Sequence, residues 1–308
     1  MTTLYDYLKQ VQRSVRDADQ SLLNPEDLID YINRARREIV MRAECLRALP
    51  PTSGGIETIT VTNPGSNYTN PVVTITAPDS PAGNGALPNG AQATAVAILA
   101  NGTISSIDVT YGGSGYFQPQ VTITDPTGTG ATATAVTSPI MTANMGQEVY
   151  SFADIPLDNF PGYGEVYAVR SVSILYANYR YSLPQYAFSE YQAMIRQFAY
   201  QYSYVPTLCS QFGQGASGSL YLYPLPSQTF QLELDCMCWP QDLATDQDAE
   251  AIPEPWTQTV PYLATHYAYL ELQNLNAAEY YRRMADRLLP IYRNAVTPTR
   301  RINPYGRY

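Results

Sequence analysis

The sequence predicts an α+β protein in which a helical bundle packs with an antiparallel β-sheet and carries an inserted all-β domain built from two repeats. Two features predict this fold class. Apolar residues recur at helical spacing near both ends of the chain, whereas residues 53–140 contain no basic residue and repeat their own sequence. With 308 residues, of which 45% are apolar, the chain is long enough and apolar enough to bury a core.

The first 52 residues predict two helices. An apolar stripe begins at Leu4 with spacings of four, three and four residues. Asn24 and Pro25 then form a helix start, an N-cap residue followed by proline at the first helical position, and the pattern stops at Pro50. The residues predicted to be buried are Leu4, Leu8, Val11 and Val15 in the first helix, and Leu28, Ile32, Ala35, Ile39 and Leu46 in the second.

Residues 53–140 predict an inserted domain made of two copies of one unit. Residues 56–79 and 104–127 align at a constant offset of 48, with 13 of 24 positions identical. Each copy is typical of a strand, a Gly-Ser-x-Tyr turn, a second strand, a glycine-rich loop and a third strand, so six strands are expected. We expect the two copies to pair their apolar faces, and the two ends of the insert, near residues 52 and 141, to lie close together.

Residues 141–296 are expected to complete the discontinuous core that residues 1–52 begin. The predicted elements are strands at Glu165–Ala177 and Leu220–Trp239, a short helix near Tyr186–Phe198, and two C-terminal helices whose apolar faces are Trp256, Val260, Leu263, Tyr267 and Leu270, and then Tyr280, Met284, Leu288 and Ile291. Pro261 and Pro290 are expected to kink or shorten these two helices. Residues 297–308 oppose helix formation, because they contain two prolines and a glycine, and predict an extended C-terminal arm.

The charged residues exclude several classes of protein. Eighteen basic and 27 acidic residues give a net charge of −9, which argues against a surface that coats nucleic acid or an anionic membrane. The single lysine, Lys9, follows no glycine, so P-loop chemistry is excluded, and the single histidine, His266, excludes a zinc site with two histidine ligands. No apolar stretch approaches 18 residues, and no secretion signal is expected. We predict no catalytic, cofactor-binding or metal-binding residue, and no enzyme activity.

Four motifs resemble nucleotide-binding, metal-binding or catalytic sites, but each of them has a simpler structural interpretation. Gly213–Gly218 matches a dinucleotide motif but lacks the following helix, so a strand connection is expected. Cys236 and Cys238 alternate with polar residues, which predicts two reduced thiols in the apolar face of one strand. His266 is expected to be a structural residue bonded to a tyrosine. Asp246–Glu250 lacks the glycine and glutamate of a calcium loop, so it predicts an exposed acidic connector.

Three motifs in the second half of the chain resemble a known family. Gly218–Pro226 reads GSLYLYPLP, Cys238–Leu243 reads CWPQDL, and Ile252–Trp256 reads IPEPW before a helix rich in alanine, tyrosine and leucine. Together they resemble the head-to-tail adaptor proteins of tailed bacteriophages, and the closest group looks like the adaptor (tail tubular protein A) of short-tailed phages. The resemblance covers about residues 1–50 and 145–295. The insert departs from the minimal adaptor, although its Gly-Ser-x-Tyr repeats are similar to modules of phage tail and baseplate proteins.

The resemblance implies a structural virion protein, made in the host cytoplasm, that forms a closed ring, usually dodecameric, at the head–tail junction. The implied partners are further copies of the chain, the portal protein and the tail nozzle protein, and DNA would pass through the ring during ejection without sequence-specific binding. A membrane is not among them. The 27 tyrosines fit a protein with many contacts, because tyrosine offers a large contact area together with a polar hydroxyl. The C-terminal arm, 297–308, is expected to bind the portal through Arg300, Arg301, Tyr305, Arg307 and Tyr308.

An alternative function concerns the insert, which could act as the carbohydrate-binding or receptor-binding part of a tail component. The insert contains four acidic residues, none of them paired in sequence, so glycoside hydrolysis is not expected. Sugar binding stays open at this point. If the chain is an adaptor, we expect the insert to project outward and to offer a docking surface for tail fibres.

Overall fold

The computed structural model describes residues 2–16, 22–79, 90–176, 179–197 and 203–296. The chain divides into two compact units. Unit 1 comprises Met1–Ala48, Phe160–Tyr167 and Met237–Tyr308, and unit 2 comprises Leu49–Asn159 and Ala168–Cys236. The division falls between residues 48 and 49, so the whole insert belongs to unit 2. That the insert is a separate domain stays a prediction.

Five α-helices occur in the described part of the chain. They are α1 (Leu4–Val15), α2 (Pro25–Ala43), α3 (Phe188–Gln197), α4 (Val260–Glu271) and α5 (Leu275–Val296). Seventeen strands occur there as well: β1 (Arg47–Ala48), β2 (Ile56–Asn63), β3 (Val72–Ile75), β4 (Thr94–Ala100), β5 (Thr103–Tyr111), β6 (Val121–Thr124), β7 (Thr132–Thr137), β8 (Thr142–Ala143), β9 (Val149–Ser151), β10 (Tyr163–Tyr176), β11 (Tyr179–Leu183), β12 (Gln185–Tyr186), β13 (Ser203–Tyr204), β14 (Leu208–Phe212), β15 (Ser219–Tyr223), β16 (Leu225–Pro226) and β17 (Phe230–Pro240).

The predicted fold class, a helical bundle packed with an antiparallel β-sheet, is wrong. The fold is mixed: strands account for about 36% of the described residues and are distributed over several sheets. Two of the pairings, β12 with β14 and β13 with β16, are parallel. Periodicity in the sequence identifies helices and strands one at a time, but it does not determine which strands become neighbours, and many of these strands are too short to show a period.

The helices of unit 1 form where the sequence predicts them. α1, α2 and α4 contact one another, and α5 packs on α4. Nearly all the residues predicted to be buried in α1 and α2 are buried, Leu8 being half-buried. α2 begins at Pro25 as predicted, but it ends at Ala43 rather than at Pro50, because Glu44 adopts a left-handed conformation with φ of 50°.

Pro261 and Pro290 were predicted to kink or shorten the C-terminal helices, and the first of these, α4, is indeed shorter than its apolar pattern, because Trp256–Thr259 form a 3₁₀ helix before it. Pro261 lies in the first turn of α4, where the missing N–H would have no helical acceptor, so it begins the helix instead of bending it. Pro290 lies inside α5, which is 22 residues long and continues past this proline to Val296. The predicted strand Leu220–Trp239 is divided into β15, β16 and β17.

The insert contains six strands, and the two copies of its repeat exchange strands. β4, the third strand of the first copy, pairs with β5, the first strand of the second copy, and β7 pairs with β2 in the same way. β3 pairs with its equivalent β6. Since β3 also contacts β4 and β6 contacts β7, the six strands have a closed cyclic order around one core. The two copies therefore bury their apolar faces in one shared core, as expected for copies that pair these faces.

The first and last residues of the insert lie side by side. The Met141 N–H donates to the Pro51 carbonyl at 2.8 Å, and the Ser138 N–H donates to the Gly55 carbonyl at 2.9 Å. The prediction that the two ends of the insert lie close together is confirmed. The core of the insert consists of Ile56, Ile59, Tyr68, Ile75, Ala93, Ile104, Ile107 and Tyr116.

Candidate interaction surfaces

The residues predicted to bind the portal lie outside the described residues. They are Arg300, Arg301, Tyr305, Arg307 and Tyr308, and the last described helix, α5, ends at Val296. The candidate surfaces of unit 1 and unit 2 are therefore sought on the described helices and strands.

The exposed face of α5 differs from the predicted one. Tyr280 and Ile291, predicted to face the core, are 59% and 55% exposed. Ala278, Ala285 and Leu289 are buried instead. The small alanine side chains let α5 approach α4 closely, so the side with the smaller residues faces inward and the side with the larger ones faces solvent. As a result Tyr280 and Ile291 share the outer face with the exposed side chains of Arg283 and Arg287.

A group of carboxylates lies around Tyr31 on α2. Burial and the negative charges of Glu271, Asp27 and Asp30, in that order, raise the pKa of the Tyr31 hydroxyl, and the positive charge of Arg34 opposes this shift. Asp27 lies in the first turn of α2, where the helix dipole favours an acid, whereas Glu271 is the last residue of α4, where the dipole disfavours one. Two exposed leucines accompany Glu271: Leu270 is 41% exposed and Leu275 is 69% exposed.

A buried ion pair joins α2 to the segment before α4. Arg36 donates from Nε and Nη2 to the two carboxylate oxygens of Glu250, each at 2.8 Å, and both side chains are 1% exposed. Its Nη1 donates to Asn33 Oδ1 at 3.0 Å and to the Gln241 carbonyl at 2.8 Å. Burial and the neighbouring Glu250 charge raise the pKa of Tyr7. The prediction of an exposed acidic connector is therefore wrong at Glu250, although Asp246 is exposed.

Sequence reasoning missed Arg36. The residue lies four positions after Ile32 and three before Ile39, so helical spacing alone places it on the buried face of α2. An arginine on an apolar stripe signals a buried counter-charge, because an unpaired charge in a protein interior is strongly unfavourable. Asp248 contributes to the same segment: hydrogen bonds from the Thr245 hydroxyl and from the Thr245 and Ala244 N–H groups hold its pKa at about 2.

His266 is buried in α4, and its environment corrects the prediction of a tyrosine partner. Nδ1 lies 2.8 Å from the Ala278 carbonyl, which can only accept, so Nδ1 carries the proton. The neighbouring Tyr267 instead donates its hydroxyl to Glu38. Burial and that carboxylate raise the pKa of Tyr267 to about 12. Arg282 also contacts Glu38, at 3.3 Å.

The remaining sequence motifs have the structural roles predicted for them. Gly213–Gly218 connects the antiparallel strands β14 and β15, with a short 3₁₀ helix at Gly215–Ser217. Cys236 and Cys238 are fully buried in β17, and all four cysteines are free thiols. Burial raises the pKa of Cys238 to about 12, so this thiol is not an activated nucleophile.

Unit 2 carries a cluster of aromatic side chains around α3. The Phe188 ring lies 4.6 Å from Phe212 and 4.9 Å from Tyr221, measured between ring centroids. Phe212 is 56% exposed, and Tyr204, on β13, is 61% exposed. Aromatic groups that remain partly exposed in this way are typical of association surfaces.

Two of the four acids of the insert hold its turns together. Asp125 accepts hydrogen bonds from the N–H groups of Thr69 and Asn70, and Asp79 accepts from those of Phe117 and Gln118. Each carboxylate thus accepts hydrogen bonds from the backbone of the other copy, at equivalent positions of the repeat. Despite opposition from partial desolvation, hydrogen bonds from Thr127, Asn70 and Gly128 hold the pKa of Asp125 well below its usual range.

Two buried tyrosine hydroxyls connect the copies of the insert as well. Tyr68 accepts from the Ala131 N–H at 3.0 Å, and Tyr116 accepts from the Ala93 N–H at 2.8 Å. Gly65, which precedes Tyr68 in the first turn, has a φ of 62° and packs so tightly that an added Cβ would lie 2.6 Å from the backbone of the other copy. The Gly-Ser-x-Tyr motif therefore locks the exchanged strands together.

No group of three or more histidine, cysteine, aspartate or glutamate side chains that could hold a metal ion occurs among the described residues. No helix in the described ranges is long and apolar enough to cross a membrane. The sequence matches no protein-family model and no curated protein.

Proposed function

We propose that this chain is a structural protein of a tailed-bacteriophage particle, a head-to-tail adaptor that forms a ring between the portal and the tail nozzle. The observation that carries the proposal is the number of large apolar side chains left exposed on both units. In unit 1 they are Tyr5, Leu22, Met41, Leu270, Leu275, Tyr280 and Ile291, and in unit 2, outside the insert, they are Leu49, Met145, Val149, Tyr176, Tyr181, Tyr186, Tyr204 and Phe212. A protein that contacts further copies of itself and two other rings needs such surfaces on several sides.

The motifs that resemble the adaptor family support the proposal through their structural roles. Gly218–Pro226 forms β15 and β16, and Ile252–Trp256 leads into α4 through a short 3₁₀ helix. The Leu243 N–H donates to Asn33 Oδ1 of α2 at 3.0 Å, which ties the end of the Cys238–Leu243 motif to the N-terminal helices. These motifs thus organise the framework of the fold, as expected for a protein selected for assembly.

The net charge of −9 fits a passage for DNA. An acidic inner surface repels the phosphate backbone, so DNA slides through without being held, and no base-specific contact is needed. The site of action is then the head–tail junction of the virion.

The proposal is tested by co-expressing the chain with the portal protein encoded in the same genome. We expect the two proteins to co-purify and to show a ring of adaptor density on one face of the portal in electron micrographs. The matched control is co-expression with the portal of an unrelated phage, which should not bind. A purified chain that turned over a sugar or a nucleotide and never bound its portal would contradict the proposal.

A further inference from the structure

A cleft of about 470 Å³ lies in unit 1 between α1, α5 and the start of α4. Each of the three walls contributes residues at spacings of three or four, which places them on one side of their helix. This volume is in the range of sites that bind small molecules. The polar residues that line the cleft include Tyr7, Gln10 and Arg13 on α1, Thr257 and Tyr262 at the start of α4, and Tyr292 on α5.

Hydrogen bonds between the helices fix the walls of the cleft. The Tyr292 hydroxyl donates to Gln258 Oε1 at 2.9 Å, which ties α5 to the 3₁₀ helix before α4. Tyr269 and Tyr281 donate to the Ser14 carbonyl at 3.1 and 3.4 Å, which ties α4 and α5 to the end of α1. The cleft is therefore formed by the fold itself, as small-molecule sites usually are.

Several polar groups in the cleft bond no other part of the described chain. Thr257 is 6% exposed, and neither its hydroxyl nor that of the half-buried Tyr262 takes part in a hydrogen bond there. The buried Tyr7 hydroxyl is unbonded as well: burial and the charge of Glu250 raise its pKa, but Glu250 does not lie in hydrogen-bonding geometry with it. Buried polar groups are nearly always hydrogen-bonded, so exceptions that line a cleft indicate a place for a ligand.

The charged residues of the cleft are balanced. Arg13 lines it from α1 and Glu254 from the segment before α4, and both are exposed. None of the ion pairs within the described ranges uses either of them. A ligand without net charge suits the cleft, because a charged one would face a like charge on one of the two sides.

Two other clefts of similar size in unit 1 differ in this respect. One, of about 540 Å³, contains Arg37 and Asp242, which pair with each other at 2.6 Å. The other, of about 480 Å³, is lined by Asp248 and Glu250, which accept hydrogen bonds from the neighbouring chain. Their charged groups have partners within the protein, whereas the cleft beside α1 offers unpaired ones.

We infer that the cleft between α1, α4 and α5 binds a small neutral saccharide. A sugar hydroxyl both donates and accepts, and so do the hydroxyls of Thr257 and Tyr262 and the amide of Gln10, so they can pair in either direction. The C–H face of a sugar ring is apolar, and Leu288 and the Tyr292 ring offer it an apolar contact. This site goes beyond the adaptor role and does not depend on it. It also lies outside the insert, to which the sequence assigned the alternative of sugar binding.

The test is a titration of the full chain with three neutral disaccharides: maltose, lactose and the dimer of N-acetylglucosamine. The Trp256 ring lies 6.1 Å from that of Tyr292, between centroids, so a ligand against Tyr292 should change the tryptophan emission. We expect at least one of the three sugars to bind saturably, and its protons to receive magnetisation from the protein in saturation-transfer NMR. Thr257→Val and Tyr262→Phe each remove one hydroxyl with little change of shape, and each should weaken binding about three- to tenfold.

The matched control is Tyr280→Phe, which removes the hydroxyl of an exposed tyrosine on the outer face of α5 and should bind the sugar as the wild type does. Gln10→Ala tests the cleft at an exposed position, where no buried group is disturbed, and should also weaken binding. Urea unfolding midpoints show whether each variant is folded.

The inference is overturned if none of the three sugars binds, or if Gln10→Ala and the two hydroxyl variants all bind as tightly as the wild type. Saturable binding of triglycine without binding of any sugar would also overturn it, since the cleft would then be a peptide site. Either result would leave the proposed ring untouched, because portal binding is measured separately.

Discussion

Replacing Arg36 by alanine is expected to lower the free energy of unfolding of unit 1 by about 3–5 kcal/mol. The guanidinium makes two hydrogen bonds of 2.8 Å to Glu250 and one each to Asn33 and Gln241. Removing it leaves the Glu250 carboxylate 1% exposed without its counter-charge, with the Ile252 N–H at 2.9 Å as a remaining donor. The cost arises from that uncompensated buried charge rather than from the lost bonds alone.

The neighbouring residue offers a matched control. Arg37 pairs with Asp242 at 2.6 Å, but these side chains are 55% and 50% exposed. Arg37→Ala should therefore cost about 0–1 kcal/mol, since water solvates both charges after the pair is broken. A double variant, Arg36→Met with Glu250→Leu, should recover most of the stability lost in Arg36→Ala, because it removes both buried charges together.

Urea unfolding followed by tryptophan fluorescence measures the free energy of unfolding of unit 1. Trp239 and Trp256 are the only two tryptophans of the chain, and both belong to unit 1. Equal losses of stability in Arg36→Ala and Arg37→Ala would refute the argument from burial. A double variant no more stable than Arg36→Ala would show that the charge left behind is not the cause.

Four further changes test other parts of the molecule. Deleting residues 53–140 and joining the ends with a short Gly/Ser linker should leave a soluble chain with an unchanged tryptophan unfolding midpoint; a molten product would contradict this. Tyr116→Phe should destabilise the insert by about 1–2 kcal/mol in urea unfolding, because a buried N–H loses its acceptor, and unchanged stability would count against the interlocked turns. The pKa of Asp125 is lower in the folded state than the unfolded value of about 3.9, so the stability that Asp125 contributes should be present above that pH and be lost as the pH falls further. Asp125→Asn should abolish this part of the acid sensitivity. If the variant and the wild type lose stability with falling pH in the same way, Asp125 does not stabilise the turn. Truncation after Val296 should weaken portal binding, more at low salt than at high salt, and unchanged affinity at both would rule out a role for the arm.

Local features of the chain are predictable where neighbouring residues decide them. The start of α2 follows from Asn24 and Pro25, although the Asn24 side chain makes no capping hydrogen bond. The six strands of the insert follow from the repeat, because alternation and glycine-rich turns act over a few residues. The buried thiols of β17 likewise follow from a period of two.

Features that depend on residues distant in sequence were missed or wrong. The repeat predicts that the two copies pair their apolar faces, but alternation alone does not determine which strands of the two copies become neighbours. The outer face of α5 was assigned to the core because large apolar residues marked it, whereas close packing against α4 required the side with alanines.

Composition and local patterns along the chain were enough to predict where most helices and strands begin, that a repeat exists, and that lysine and histidine are too few for several chemistries. These are consequences of composition and of interactions within one or two turns of chain. The folded chain was needed to see which strands pair, that Arg36 meets Glu250 across more than two hundred residues, and which face of α5 is exposed. Such choices depend on how well surfaces fit when the chain is compact, since the free energy of packing and of buried charges comes from neighbours in space rather than in sequence.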